Sequence, residues 1–254
     1  MKTIVMVETY RGKPTLNFFQ WIVFAQGWFG MRPRLFEKFI SKSLSRIKYF
    51  ILTGVSRIVI GIILLALSKR IEEQITHIYF LSNLLMLAGI SLILHFGILN
   101  LSTAIWRLFG VDVKELFRSP IKAKSLQEFW GKRWNLAFSE MTALVVYKPS
   151  KGNLGQTKAM MISFLVSGVL HEIAISLPVQ SGYGLPLFYF LIHALAMYAE
   201  GEVLIVKRLL AHPVFSRVWV FSWLLLPMPL LFHSNFLIKV AEPIRNGILN
   251  LIDV

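Results

Sequence analysis

Cysteine is absent from all 254 residues, which excludes disulfide staples, thiol nucleophiles and thiolate metal sites. Charge is scarce as well. Only 16% of the side chains are charged against 56% that are apolar, too little polarity for an ordinary soluble domain of this length. Acidic residues are the scarcer sign, 13 against 27 Lys and Arg, leaving a formal net charge of +14. There is no glycine-rich phosphate loop, zinc-ligand spacing or serine-nucleophile elbow. Met1 to Lys13 is polar and carries Glu8, so it does not read as a cleavable signal, which needs an apolar centre.

What the chain does have is long apolar runs. A helix needs about 20 predominantly apolar residues to cross roughly 30 Å of hydrocarbon, and five stretches qualify: 49 to 67, 78 to 99, 159 to 177, 185 to 206 and 218 to 238. Leu16 to Met31 is aromatic-rich but short, and Asn17, Gln20, Gln26, Gly27 and Gly30 interrupt it; it reads as an interfacial or re-entrant segment. Threading five spans places 22 of the 27 Lys and Arg on one side and 4 on the other, with Arg57 inside a span. That asymmetry sets the N-terminus in the cytoplasm and the C-terminus outside. The basic excess is thus a topological signature, not a nucleic-acid footprint, though it also suits an anionic substrate or lipid surface. The expected fold class is an all-α integral membrane protein, one domain over residues 1–254, in a bacterial inner membrane or the endoplasmic reticulum.

Between the second and third spans lie 53 residues, 106 to 158, longer than a plain connection requires. Ser125 and Glu128 have the spacing of a capping box, and the pattern predicts one amphipathic helix from there to about Tyr147. Trp130, Trp134, Phe138, Met141 and Val145 would share its apolar face, with Glu128, Lys132, Asn135, Ser139 and Thr142 opposite, toward a cytoplasmic cavity.

Ionisable groups inside a span are costly to bury and mark candidate sites. They are Arg57, His95, His171 with Glu172, and His193 with Glu200. His95 reads as a structural histidine that hydrogen-bonds across the bundle. His171 differs, because Ser167 and Gly168 precede it on the same face and let a neighbour or substrate approach. It sits twelve residues past Ala159, about 18 Å into the span, and a neutral histidine is the commonest general base near neutral pH. His193, Met197 and Glu200 draw a polar stripe along the fourth span. Adjacent residues such as His171 and Glu172 project about 100° apart, so no metal site is expected.

The stretch Glu128-Phe129-Trp130-Gly131-Lys132-Arg133-Trp134-Asn135, with Val146-Tyr147-Lys148-Pro149 downstream, resembles the FWGRRWN block of wax synthase-like proteins in the membrane-bound O-acyltransferase family. Phe164 to Glu172, with Ser167, Gly168, His171 and Glu172, is similar to that family's S-G-x-x-H-E segment. Trp28-Phe29-Gly30-Met31 resembles its W-P-G-M turn, with Phe29 in place of proline, and Phe190 through Glu200 resembles the helix that follows. The resemblance runs from about Trp28 to Phe236. It implies a helical chamber where an acyl thioester meets an acceptor hydroxyl, with His171 matching the catalytic histidine and Asn135 the second polar position.

From this the expected activity is transfer of an acyl group from acyl-coenzyme A, a co-substrate with no further cofactor, to the hydroxyl of a lipophilic alcohol. His171 would take the hydroxyl proton and Asn135 would orient the acceptor or steady the oxyanion. Lys132 and Arg133 would meet coenzyme A phosphates or anionic lipid. Trp130, Trp134, Glu172, His193 and Glu200 complete the expected substrate surround. The chain is shorter than plant wax synthases, and a homo-oligomer is one way to close the chamber. Two alternatives remain at this point: a small transporter or lipid-translocating protein, which would also place His, Glu and Arg inside a bundle, and an inactive scaffold with the same fold.

Overall fold

The computed structural model describes residues 1–11, 13, 15–38, 44–74 and 79–252. Among them every regular element is helical. Four helices are long and apolar enough to cross a membrane, 46–74, 79–108, 156–179 and 213–231, and a bent pair would make five if it counts as one span. In chain order the elements used below are α1 (Lys2–Tyr10), α2 (Phe18–Gly27), α3 (Leu44–Gln74), α4 (Tyr79–Leu108), α5 (Leu136–Thr142), α6 (Gln156–Val179), α7 (Leu185–Glu202), α8 (Leu204–Leu210), α9 (Pro213–Leu231) and α10 (Glu242–Asn250). This is the integral membrane architecture expected from the apolar runs.

Two sequence expectations change in detail here. The fourth span does not continue straight to residue 206: α7 stops at Glu202, Val203 adopts extended backbone, and α8 leaves at 87°. The fifth lies N-terminal to the expected 218 to 238, because Pro213 can start a helix where its missing N–H is not needed, and Phe232 ends it. Residue 78, at the start of the expected second span, lies outside the described residues. The segment from Leu16 to Met31 contains only the ten-residue α2, about 15 Å long and too short to cross. A complete capping box between Asn17 and Gln20 starts it, and the Lys2 ammonium donates to the carbonyls of Phe24, Trp28 and Gly30 at its far end.

The chain divides into two compact units, Lys38–Glu115 with Ser234–Val254, and Met1–Glu37 with Leu116–His233. In the former, α3 and α4 cross through glycines. A Cβ on Gly89 would lie 2.9 Å from the Gly61 carbonyl, and one on Gly54 would lie 3.1 Å from that of Gly97; small residues permit this backbone approach. Ser68 and Ser82 exchange hydroxyl-to-carbonyl hydrogen bonds across the same pair. Arg245 of α10 is buried against Glu72. His95 falls in a π-helical stretch of α4, hydrogen-bonded to the Ser91 hydroxyl at 3.0 Å.

In the other unit α6 and α7 pack closely, and Gly168 makes this possible: a Cβ there would stand 2.7 Å from Leu187 Cδ1 and 3.1 Å from its Cα. The helix expected from Ser125 to about Tyr147 is not continuous. A turn at Leu126–Glu128 passes into a π-helical stretch at Phe129–Arg133, Trp134 is extended, and Asn135 takes left-handed backbone (φ 42°, ψ 63°) before α5. A second π stretch, Ala143–Tyr147, follows. The break at Asn135 resets the helical register, so the two faces drawn from a continuous helix do not exist.

Candidate active site

The local structure of this loop follows from a few hydrogen bonds. The Ser125 hydroxyl accepts the Glu128 N–H at 2.9 Å, as a capping box requires, but Glu128 reaches back to the Lys124 N–H, one residue further than the usual partner. Glu128 also holds Arg133 through Oε1, at 2.9 Å from Nε and 2.6 Å from Nη2. Burial pushes the Glu128 carboxyl up, but the Lys124 amide and the Arg133 guanidinium outweigh it and hold the group below the usual carboxylate range. From α7, Glu200 accepts the N–H groups of Leu126 (2.7 Å) and Gln127 (3.1 Å) and the indole N–H of Trp219 (2.9 Å). A carboxylate at these unpaired first-turn amides is favourable, so Glu200 clamps the turn that carries Trp130.

Asn135 is placed by the same logic. Its left-handed backbone is one that asparagine tolerates better than most residues, and its Oδ1 accepts the Phe138 N–H at 3.2 Å, capping α5. With Oδ1 engaged, the free half of the side chain is its NH2 group, a donor only.

His171 lies where α6 turns from α-helical to π-helical at Glu172. Nδ1 is 2.7 Å from the Ser167 carbonyl. A carbonyl can only accept, so Nδ1 bears the proton and Nε2 carries the lone pair. The ring packs against Phe190 at 4.2 Å and Phe138 at 5.8 Å. Trp130 in turn meets Phe164 and Phe190 edge-on or tilted.

These side chains wall a cavity of about 460 Å³. Trp130, Trp134, Asn135, Phe138, Phe190 and His171 all line it. So do Ser139, Thr142, Ser163 and Ser167, whose hydroxyls donate at 2.6–2.9 Å to the carbonyls of Trp130, Phe138, Ala159 and Ser163. With their protons spent on the backbone, the hydroxyls offer mainly lone pairs to a guest. The cavity is therefore aromatic and acceptor-rich, with the Asn135 amide as a donor.

The other residues singled out in the sequence stand outside this wall. Lys132 is exposed. Arg133 is tied to Glu128 and to the carbonyls of Arg118 and Ser119. Glu172 accepts the Leu187 N–H at 3.0 Å, and His193, fully buried, donates Nδ1–H to the Tyr189 carbonyl at 2.8 Å. With Glu200, these groups brace α6, α7 and the loop around the cavity. Sequence reasoning missed Tyr147, Gln156, Tyr198 and Gly201, all in the lining; the bend after Glu202 and the break at Asn135 bring them there. No cluster of three potential metal ligands occurs among the described residues.

Residues 113–199, which include Asn135, His171 and most of the cavity wall, match the profile described as "Membrane bound O-acyl transferase family". This stretch is similar to wax synthase-like membrane-bound O-acyl transferases. The chain is 31% identical over 151 residues to "Probable long-chain-alcohol O-fatty-acyltransferase 6" of Arabidopsis thaliana, covering 55% of this chain and 42% of that protein. It is 39% identical over 72 residues to "Long-chain-alcohol O-fatty-acyltransferase" of Simmondsia chinensis, 25% of this chain and 20% of that one. To "Acyl-CoA--sterol O-acyltransferase 1" of Arabidopsis thaliana it is 31% identical over 119 residues, 42% of this chain and 31% of that one. The matched stretch is thus less than half the length of each of these relatives. No solved structure matches. The matched stretch contains Asn135 and His171 together with the turns that aim them.

Proposed function

We propose that this protein is a membrane-bound O-acyltransferase that moves an acyl group from acyl-coenzyme A to the hydroxyl of a lipophilic alcohol, as a wax ester synthase does. One observation carries the reading: a single apolar cavity presents a histidine lone pair and an amide donor, both set by hydrogen bonds to the protein's own backbone. The names of the relatives, which specify alcohol and sterol acceptors, point the same way.

The chemistry follows from those two valences. His171 Nε2 accepts the proton of the acceptor hydroxyl as its oxygen attacks the thioester carbonyl. The carbonyl oxygen, becoming an oxyanion, meets the Asn135 NH2 group, a contact worth more in a dry site than in water. The carbon–sulfur bond then breaks, and the imidazolium returns its proton to the departing thiolate. The products are an ester and free coenzyme A, and no acyl-enzyme forms. Along the approach, the amide N–H groups of a pantetheine arm find acceptors in the Ser163 and Ser167 hydroxyls. The exposed Lys132 supplies a cation for the coenzyme A phosphates, whereas Arg133 is held by Glu128. Lipid mass spectrometry of cells expressing the wild type or His171→Ala tests the proposal. One ester class should appear with the wild type and vanish with the mutant; identical lipid profiles would refute it.

A further inference from the structure

One membrane helix, α3, carries a cation that none of this chemistry uses. The inner arc of α3, with Gly54 and Gly61, meets α4. The outer arc is exposed at Leu52, Val55, Val59, Ile60, Ile63 and Leu67, as expected of a surface facing lipid. Arg57 is exposed on the flank between that arc and the glycine face. It lies eleven residues past Arg46 and seventeen before Gln74, about 16 Å and 26 Å from the two ends. The nearer end is three helical turns away, further than one arginine stem can snorkel.

Nothing described in the chain answers this charge. Among the described residues the ion pairs are Arg32 with Glu140, Arg107 with Asp112, Arg133 with Glu128 and Arg245 with Glu72. The hydroxyls nearest Arg57 on the helix, Thr53 and Ser56, donate to the carbonyls of Tyr49 and Thr53 on their own helix. Of the other groups singled out inside the helices, Glu172 accepts the Leu187 amide through Oε1, Glu200 accepts three donors and His193 Nδ1 meets the Tyr189 carbonyl. Arg57 departs from that pattern, and an intramembrane cation on an exposed face calls for an anion at the same depth.

We infer that the exposed face of α3 around Arg57 docks a membrane helix from another polypeptide, one bearing an Asp or Glu level with the guanidinium. The planar fork of arginine suits a carboxylate in two-point contact, and the exchange of lipid for a paired helix removes the cost of the isolated charge. A second copy of this chain does not fit. Glu200 already accepts three N–H groups, the Glu172 oxygen without a partner is itself buried, and a two-fold contact at α3 would set Arg57 against Arg57.

The test uses the full chain in phosphatidylcholine vesicles, labelled for energy transfer to a synthetic polyleucine helix with one Glu, Gln or Leu at the matching depth. The Glu helix should associate at least tenfold more tightly than the Leu helix. Arg57→Leu should abolish that difference while leaving the thermal midpoint of the chain unchanged or raised, and Arg57→Lys should keep part of it. Moving the charge to another azimuth, with Val55→Arg in the Arg57→Leu background, should not restore capture. Equal association of the three helices, or full capture by the relocated arginine, would overturn the inference. So would a lowered midpoint in Arg57→Leu, since that would show the side chain already paired within the chain.

Discussion

Asn135 combines two roles that one set of substitutions can separate. Asn135→Ala should be the most damaging. It places a Cβ residue without local hydrogen-bonding power at φ 42°, at a cost of about 1 to 2 kcal/mol, and it removes the cap on the Phe138 amide, worth about 1 kcal/mol. A loss of about 2 to 3 kcal/mol would follow, with any fall in activity confounded by it. Asn135→Gly accepts the left-handed backbone freely and forfeits only a few tenths of a kcal/mol as a cap. Asn135→Asp keeps an oxygen for the Phe138 amide but loses both N–H donors and adds a negative charge where the oxyanion would form. Gly and Asp should therefore unfold within about 0.5 kcal/mol of wild type while ester formation falls by about 10²-fold or more, the usual size of one oxyanion contact. Thermal unfolding in detergent and single-turnover acyl transfer on the same preparations give both quantities. An Asp variant that turns over at the wild-type rate would refute the donor role of the amide.

The remaining predictions concern the groups around the cavity. Gly168→Val should destabilise the chain by about 1 to 3 kcal/mol, because its side chain would meet Leu187 backbone at the α6–α7 contact; a thermal midpoint equal to wild type would contradict the packing. Lys132→Ala should raise the Michaelis constant for acyl-coenzyme A and flatten its salt dependence with turnover unchanged, whereas Arg133→Ala should chiefly lower stability, since it unpairs Glu128. The Glu128 carboxyl is held below its unfolded value, so its stabilising contribution is complete above the ordinary carboxylate range and is lost as pH falls through the depressed folded value. Glu128→Gln should accordingly flatten the acid limb of a stability–pH profile, and an unchanged limb would count against that linkage.

How much of this was legible beforehand depends on the kind of signal. Membrane spans are read from long apolar runs, and α3, α4, α6 and α9 stand close to where such runs placed them, because no other structure satisfies the backbone in hydrocarbon. The bend after Glu202 was not legible: Val203 is neither proline nor glycine. The loop misled for a related reason. Its apolar residues do recur at helical spacing, but Asn135 adopts a backbone conformation that periodicity cannot reveal, and the two π stretches shift register by one residue each. That is why Ser139 and Thr142 line the same cavity as Trp130 and Phe138 instead of an opposite face. Glu172, His193 and Glu200 stood out in the sequence as buried polar groups, and composition alone does not separate a brace from a contact. Only their partners, backbone amides and a carbonyl, make that distinction.

The central claim is that His171 Nε2 takes the proton of the attacking hydroxyl. The most direct measurement is acyl transfer by the purified full chain in lipid vesicles, with acyl-coenzyme A and a long-chain alcohol, following ester by mass spectrometry and free thiol by absorbance. Wild type should release ester and coenzyme A in equal amounts. His171→Ala, still folded by circular dichroism and thermal unfolding, should release neither above background. Ester formed by folded His171→Ala at the wild-type rate would contradict the mechanism outright.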